Sequence, residues 1–334
     1  MKNLRRISRR FEKATFKIAL GFTCTILVLY PAMGQAQDGS SVNRLPAELI
    51  ASDTVAVARV DLSEIRLSAI LDEVFTPEFA EARGVIEPLL KDWLEKFRAS
   101  GVELVYGTIP AEAIQYGGLC LIIPCDDPET LAALVRPFAE SLETPFRFTV
   151  LQQKGRVVVC PQAVAERFTQ NPTVPVRDPA DKRPWLVQAF AAVETFPHRL
   201  AFGLPPDLHD PVTDVLPETL SQAELGSVSP RRLSRHVRAA ALGFDLPPRL
   251  FAELRLVSTG ASSSAIAGEE VNQTLEAVPN RDRWITVETL EDGVSLRQNQ
   301  TQARALSELI FKQLRANIVS TKSDRTGSDQ KRTE

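Results

Sequence analysis

Two hydrophobic patterns alternate along this chain, and their order is the strongest constraint on its fold. Short apolar runs with the spacing of strands alternate with longer stretches whose apolar residues recur every three or four positions, as in amphipathic helices. From residue 46 to residue 168 the order is strand, helix, strand–strand–helix and strand–strand–helix, and residues 185–320 repeat it. Antiparallel strand pairs followed by helices are typical of the α+β class.

The two stretches also correspond in their turns. Each contains a hairpin turn with a glycine, Gly155 in the first and Gly293 in the second, and each then ends in a helix. Residues 169–184 between them contain four prolines, which is typical of a linker. The sequence therefore predicts two similar α+β units, each an antiparallel sheet with helices packed on one face. Chance recurrence of ββα units, which are compact and common, is the alternative to duplication.

The N-terminal segment has the pattern of an export signal. Residues 1–17 carry seven basic side chains, residues 18–30 are apolar, and small and polar residues follow from Pro31 to Gln37. The apolar run is shorter than the roughly 20 residues that a membrane-spanning helix needs. We therefore predict a cleaved signal peptide, residues 1–36, and a periplasmic or extracellular protein; an uncleaved segment would instead be its membrane anchor and its membrane contact.

Two polar stretches flank the predicted units. Residues 37–45 form a polar lead, and residues 321–334 are rich in polar and charged side chains and predict a disordered tail. Because residues 1–36 carry seven basic side chains and one acidic one, a whole-chain charge of −3 becomes −9 without them. An acidic protein lacks the excess of lysine and arginine that neutralises phosphates, so nucleic acid is not an expected partner.

The first strand carries a resemblance to a group of known proteins. Residues 45–61 read Leu-Pro-Ala-Glu-Leu-Ile-Ala-Ser-Asp-Thr-Val-Ala-Val-Ala-Arg-Val-Asp. This stretch resembles the start of mature exported bacterial proteins of unknown function, in which such a strand precedes duplicated ββα units. The resemblance implies an α+β fold and an envelope location, and it carries no catalytic residue.

Three cysteines follow the predicted signal: Cys120, Cys125 and Cys160. In an exported protein two of them can form a disulfide and leave one free thiol. The alternative is that all three are small buried apolar residues. The sequence does not select a pair, and the spacing does not favour a metal site.

Familiar catalytic and nucleotide-binding motifs are absent from the sequence. It contains no HExxH, GxSxG, GxxxxGK[ST] or GxGxxG pattern. His209 lies between Asp207 and Asp210, which could serve acid–base or metal chemistry, but capping of a helix by the aspartates is the simpler interpretation. Similarly, Ser262–Ser264 after Gly260 favour a helix cap over a nucleophile. We predict no catalytic residue, no metal ligand and no cofactor.

One basic cluster stands out in the otherwise acidic part of the chain: Arg231, Arg232, Arg235 and Arg238. Arginine side chains bind carboxylates and phosphates through paired N–H groups, so these four residues are the candidate ligand-binding site. The alternative is a solvated loop leading into a strand, with the arginines balancing nearby acids.

These features favour a non-enzymatic protein of the cell envelope that binds or organises an unidentified envelope partner or ligand. Two other functions stay open. A carrier would hold an apolar ligand between sheet and helices and would need a large apolar pocket. A hydrolase with an unrecognised site would need Asp, His or Ser side chains from separate segments to converge in one pocket.

Overall fold

Hydrophobic runs bounded by glycine, proline and acidic residues form the strands of this protein. The computed structural model describes residues 32–33, 49–75, 80–116, 118–141, 147–169, 183–218, 220–222, 226–276 and 285–298. Its strands are β1 (Ala32–Met33), β2 (Thr54–Asp61), β3 (Leu104–Pro110), β4 (Cys120–Pro124), β5 (Phe148–Gln153), β6 (Arg156–Pro161), β7 (His198–Phe202), β8 (Leu220–Gln222), β9 (Gly226–Val228), β10 (Val237–Phe244), β11 (Phe251–Ser258), β12 (Ile285–Leu290) and β13 (Gly293–Gln298).

Helices occupy the stretches between these strands. They are α1 (Leu67–Val74), α2 (Ala80–Ala99), α3 (Pro128–Ser141), α4 (Glu166–Thr169), α5 (Pro184–Ala191), α6 (Pro206–Val215), α7 (Pro230–His236) and α8 (Ala261–Leu275). Two 3₁₀ turns, Ala111–Tyr116 and Gln162–Val164, lie between them in the first half.

Local sequence signals set several of these boundaries. Asp127 caps α3, since its Oδ1 accepts the backbone N–H of Thr130 at 3.1 Å, and Pro128 is the first helical residue. Gly101 follows α2 with a φ of 72°, the left-handed conformation that glycine adopts readily. Pro88 lies inside α2 and does not end it. Both predicted hairpins are confirmed. Lys154-Gly155 is the turn of β5–β6, whereas the turn of β12–β13 is Glu291-Asp292, one residue earlier than the predicted Asp292-Gly293, and Gly293 begins β13.

The large sheet contains strands from both halves of the chain. Its order is β12-β13-β11-β10-β7-β2-β3-β4-β6-β5, with every neighbouring pair antiparallel, and β1 adds to β11 in parallel at Phe251. Outward from the centre, the first half runs β2-β3-β4-β6-β5 and the second runs β7-β10-β11-β13-β12. The α+β class is confirmed. The prediction of a separate sheet in each unit is wrong, because β2 and β7 pair directly and join the strands into one sheet.

Helices cover both faces of this sheet, so the prediction of helices on one face is wrong. Neighbouring residues on a strand point to opposite faces, and Val157 and Val158 accordingly pack in different hydrophobic clusters. The first face carries α2 and α3 over the first-half strands and α8 over the second-half strands. The second face carries α5 over β2, β7, β10 and β11, and the 3₁₀ turns over β3, β4 and β6.

Several predicted segments lie outside the described residues: most of the signal peptide, the polar lead, residues 170–182 of the linker, the final helix and the tail. Ala32 and Met33 of the predicted signal form β1, which cleavage after Ala36 would remove. Within the described ranges, no helix is both long enough and apolar enough to cross a bilayer.

Candidate functional site

The four arginines of the predicted binding cluster lie on a helix and at the start of a strand. Arg231, Arg232 and Arg235 are on α7, and Arg238 is the second residue of β10. Ser229 caps α7, because its Oγ accepts the backbone N–H of Arg232 at 3.4 Å, and Pro230 is the first helical residue. The predicted loop is therefore a helix, whose seven residues are too few to show a helical period in the sequence.

Two of these arginines form ion pairs that attach α7 to its surroundings. Arg231 Nη1 lies 2.5 Å from Glu218 Oε1, and its Nε donates to the carbonyl of Leu216 at 2.9 Å. Arg232 Nη1 lies 2.5 Å from Oε1 of Glu270, a buried residue of α8. Because these two guanidinium groups already have carboxylate partners, they are poor candidates for holding a ligand.

The other two arginines face α6 across a pocket of about 320 Å³. Residues four apart on a helix share a face, so α6 presents two such pairs to this pocket. Six side chains line it: His209, Asp210, Thr213, Asp214, Arg235 and Arg238. A hydrogen bond of 2.7 Å between Thr213 Oγ1 and Ser234 Oγ connects the two helices beside it. In the sequence, His209 with Asp210 and the two arginines were two unconnected candidate groups; in the structure they line one pocket.

His209 lies at the back of this pocket with both ring nitrogens in contact with protein atoms. Its Nε2 is 3.3 Å from the carbonyl oxygen of Val237, which can only accept a hydrogen bond, so this nitrogen carries the N–H. Its Nδ1 then accepts from Arg238 Nη1 at 2.8 Å, and Asp210 Oδ1 lies 3.1 Å from the same nitrogen. The side chain of His209 is 7% exposed. The ring therefore fixes the Arg238 guanidinium and is poorly placed to act as a base on a bound molecule.

The charges in this pocket are mixed. Arg238 keeps 32% of its side-chain surface exposed, and its Nη1 is 3.8 Å from Asp210 Oδ1. Arg235 is exposed and forms no ion pair with any other described residue. Asp210 and Asp214 also line the pocket, and Asp210 is 84% exposed. Two guanidinium groups in a concave site can hold an anionic group, and the aspartates can accept hydrogen bonds from its neighbouring atoms.

Other sequence-predicted candidates lie outside this pocket. Asp207 is in the first turn of α6 but does not cap it, because Pro205 occupies the cap position, and it does not line the pocket. Asp210 lies further inside α6, so the prediction of an aspartate cap is wrong. In the part of the chain that the structure describes, no group of three or more His, Cys, Asp or Glu side chains is arranged to hold a metal ion.

The serines and cysteines are also poorly placed for nucleophilic chemistry. Gly260, not a serine, precedes α8, and the buried Ser264 hydroxyl bonds to the carbonyls of Gly260 and Glu291 at 3.1 and 3.2 Å. The three described cysteines are buried. Burial raises the pKa of Cys160 to about 12 and raises that of Cys120 further. Neither thiol is a thiolate at neutral pH, which a reactive cysteine would need to be.

Buried cationic and aromatic side chains cluster at the centre of the sheet, among residues that were not predicted to be functional. Arg59 of β2 pairs in register with Arg199 of β7, and both lie on the second face. The Arg199 guanidinium lies 5.3 Å from the ring centre of Phe190, and its Nε donates to the Phe196 carbonyl at 2.8 Å. Burial lowers the pKa of Arg199 to about 10, so it stays charged at neutral pH. The sequence does contain one indication of this cluster, because Arg59 occupies an inward-facing position in an otherwise apolar strand.

His198, which pairs with the last residue of β10, is part of the same central region. Its side chain is 1% exposed, and Nδ1 accepts the backbone N–H of Asp61 at 3.3 Å. Burial lowers its pKa to about 4, and the nearby Asp61 carboxylate opposes that shift. The ring is neutral at physiological pH. This residue therefore acts in packing, against Phe244, and not as a cation.

Comparison with known proteins gives little further information. No protein-family model matches the chain, and no curated protein matches it. Crystal form IV of the protein TP0453 is similar with a TM-score of 0.36 and 12% identity, over 80% of this chain and 96% of that one. Crystal form I gives 0.35 and 13%, over 81% and 98%. Similarity at this level establishes neither a shared function nor a family.

Proposed function

We propose that this chain is an exported, non-enzymatic binding protein of the cell envelope. We further propose that it binds an anionic group, a carboxylate or a phosphate, in the pocket between α6 and α7. The observation that carries the proposal is the convergence of Arg235 and Arg238, from a helix and a strand, on a concave polar site. A volume of about 320 Å³ suits a small ligand or one side chain of a partner protein.

Preorganisation of Arg238 supports binding at this pocket. Its Nη1 bonds to His209, whose ring is fixed in turn by the carbonyl of Val237. A guanidinium held in this way loses less side-chain freedom when a ligand arrives, and this raises affinity. Asp210 and Asp214 lower the net charge of the pocket, which favours a ligand with one anionic group and nearby donors over a polyanion.

The same contacts favour binding over catalysis. A general base must reach the proton that it removes, whereas both nitrogens of His209 face atoms of the protein. The lining is polar, so this pocket suits a polar ligand better than the apolar ligand of a carrier. The N-terminal pattern of basic, apolar and small residues supports export.

Titration of the isotope-labelled full chain with inorganic phosphate and with succinate, followed by NMR, tests the binding site. We expect chemical-shift changes at residues 209–214 and 235–238. The variants Arg238→Gln and Arg235→Gln should each raise the dissociation constant for the anion at least tenfold. Arg136→Gln, which removes an exposed arginine of α3, is the matched control and should bind as the wild type does. Equal loss in the control, or no shifts with either anion, would refute the assignment of this pocket.

Export is tested separately by N-terminal sequencing of the protein recovered from the envelope of its producing cell. Cleavage after Ala36 should give Gln37 as the first residue. An intact Met1 on a protein soluble in the cytosol would refute export and leave the binding proposal to the titration.

We also propose that residues 46–168 and 185–320 are duplicated units of one ancestral α+β unit. The matching outward order of five strands in each half supports duplication, as does the position of α3 and α8 on the same face, each before the last hairpin of its half. A crystal structure tests it. Superposition of β2–β6 on β7 and β10–β13 should also place α3 on α8; a different strand order in either half would contradict it.

A further inference from the structure

Two of the three described cysteines occupy opposite positions on neighbouring strands. Cys120 is the first residue of β4, and Cys160 is in β6. These strands are antiparallel, with Leu121 opposite Val159 and Ile122 opposite Val158. One step further along the same register, Cys120 lies opposite Cys160.

The two side chains also point to the same face of the sheet. Both belong to the cluster that contains Val158 and Tyr106, whereas Leu121 and Val159 pack on the opposite face. Opposite residues of antiparallel strands have Cα atoms about 4.5 or 5.5 Å apart. A disulfide accommodates Cα separations of about 4.4–6.8 Å. The backbone therefore already holds this pair at a separation that a disulfide spans.

Cys125 is placed differently. It follows the end of β4 and packs with Ile123 and Leu131 on the first face of the sheet. The sheet therefore lies between its side chain and those of Cys120 and Cys160. A disulfide from Cys125 to either of them would require local rearrangement of the strand end.

From this placement we propose that Cys120 and Cys160 form a disulfide when the chain folds in an oxidising compartment, and that Cys125 stays a free thiol. The oxidant is a disulfide, either a small molecule such as oxidised glutathione or a protein disulfide. The thiolate of one cysteine attacks it, forms a mixed disulfide and releases one thiol. The thiolate of the second cysteine then attacks the mixed disulfide, forms the Cys120–Cys160 bond and releases the other thiol. The protein loses two protons and two electrons, which the oxidant gains.

Burial determines when this bond forms. Both cysteines are 0% exposed in the fold, so an oxidant reaches them before β4 and β6 are covered. Once formed, the bond joins two adjacent strands and closes the segment that contains α3 and β5. Such a bond restricts the unfolded chain, and removing it should lower the urea midpoint of unfolding. Its formation in the cell depends on the proposed export, but its pairing does not.

Peptide mapping tests the pairing directly. The full chain is reduced, unfolded, and refolded with a mixture of oxidised and reduced glutathione; free thiols are then alkylated and the protein is digested with trypsin. Cys120 and Cys125 fall in one tryptic peptide, residues 99–147, because Pro137 blocks cleavage after Arg136. Cys160 falls in the peptide 157–167. We expect these two peptides to be linked, lighter than their sum by two hydrogens, with Cys125 alkylated.

Three variants separate the possible pairs. Cys125→Ser should keep the linked peptides, whereas Cys120→Ser and Cys160→Ser should lose them and should unfold at lower urea. If a serine at position 120 or 160 prevents folding, the Cys125→Ser variant decides alone. Three alkylated thiols, a bond between Cys120 and Cys125, or a link that disappears in Cys125→Ser would overturn the proposal. Linked peptides after refolding but free thiols in protein taken from cells would refute export and leave the pairing intact.

Discussion

Replacing the buried Asp245 by asparagine should change how the stability of this protein depends on pH. Asp245 directly follows β10, where its backbone N–H donates to the Phe251 carbonyl at 3.0 Å. The residue is 6% exposed, and its Oδ2 has no hydrogen-bond partner among the described residues. Burial raises its pKa from 3.8 to about 6, with Arg249 opposing that rise and Glu64 adding to it.

The sign and size of the effect follow from this shift. Between pH 4 and pH 6 the folded protein binds the Asp245 proton more tightly than the unfolded chain does, so this carboxyl makes stability fall as the pH rises. A pKa rise from 3.8 to about 6 corresponds to a loss of at most about 3 kcal/mol in the free energy of unfolding. Asparagine does not titrate. Relative to the wild type, Asp245→Asn should therefore gain up to about 3 kcal/mol between pH 4 and pH 7.

Urea unfolding at pH 4, 5, 6 and 7 measures this difference. The asparagine amide has its own hydrogen-bonding cost in the buried site, but that cost is independent of pH and cancels in the comparison between pH values. Glu291→Gln removes an exposed carboxylate of the β12–β13 turn and is the control, with an expected change below about 0.5 kcal/mol over the same range. A difference between Asp245→Asn and the wild type that stays constant from pH 4 to pH 7 would show that the buried carboxyl does not titrate as argued.

Four further variants test other parts of the fold. His198→Asn removes a buried ring whose pKa is lowered to about 4. As the pH falls from 6.5 to 4, the unfolding free energy of the wild type should fall relative to that of the variant by up to about 3 kcal/mol. Unfolding free energies, measured in urea, that change equally with pH in the two proteins would contradict this. Asp53→Asn removes a partly exposed carboxylate whose pKa the Arg167 guanidinium lowers; it should cost about 1 kcal/mol at pH 7, and the difference should shrink as the pH falls below 4. Gly293→Ala places a methyl group against the backbone of β11 and should lower the unfolding free energy by about 2 kcal/mol or more. Gly84→Ala, in open space on α2, should raise it by up to about 1 kcal/mol, and equal effects in the two glycine variants would contradict the packing argument.

Features fixed by neighbouring residues were predictable from the sequence. A glycine within or directly after a two-residue turn between apolar runs favours a hairpin locally, and both predicted hairpins are present. The Asp127-Pro128 pair at the start of α3 is another local signal, since the cap and the first helical residue are adjacent. In each case the physical cause lies within four residues of its effect.

The joining of the two halves was not predictable in this way. It depends on the pairing of β2 with β7, whose residues are about 140 positions apart, and no local pattern specifies that partner. The sequence indicates more clearly that both faces of the sheet are covered. Val157–Val159 and Ala239–Ala241 are continuous apolar runs, which are typical of strands buried on both sides. A sheet covered on one face would show alternation instead.

In the candidate site, too, some features depend on residues that are close in the sequence and others on residues that are distant. The sequence alone identifies the arginines of residues 231–238 as a candidate site, because they form a basic cluster in an acidic chain. Which of them can bind a ligand depends on the partners that each meets in the fold. Arg232 forms a close ion pair with the buried Glu270 of α8, whereas Arg238 bonds to His209, 29 positions away, and lies 3.8 Å from the exposed carboxylate of Asp210. A guanidinium that is not closely paired with a buried carboxylate keeps more of its N–H groups available to a ligand, and this difference in partners is why the pocket, and not the cluster as a whole, is the candidate site.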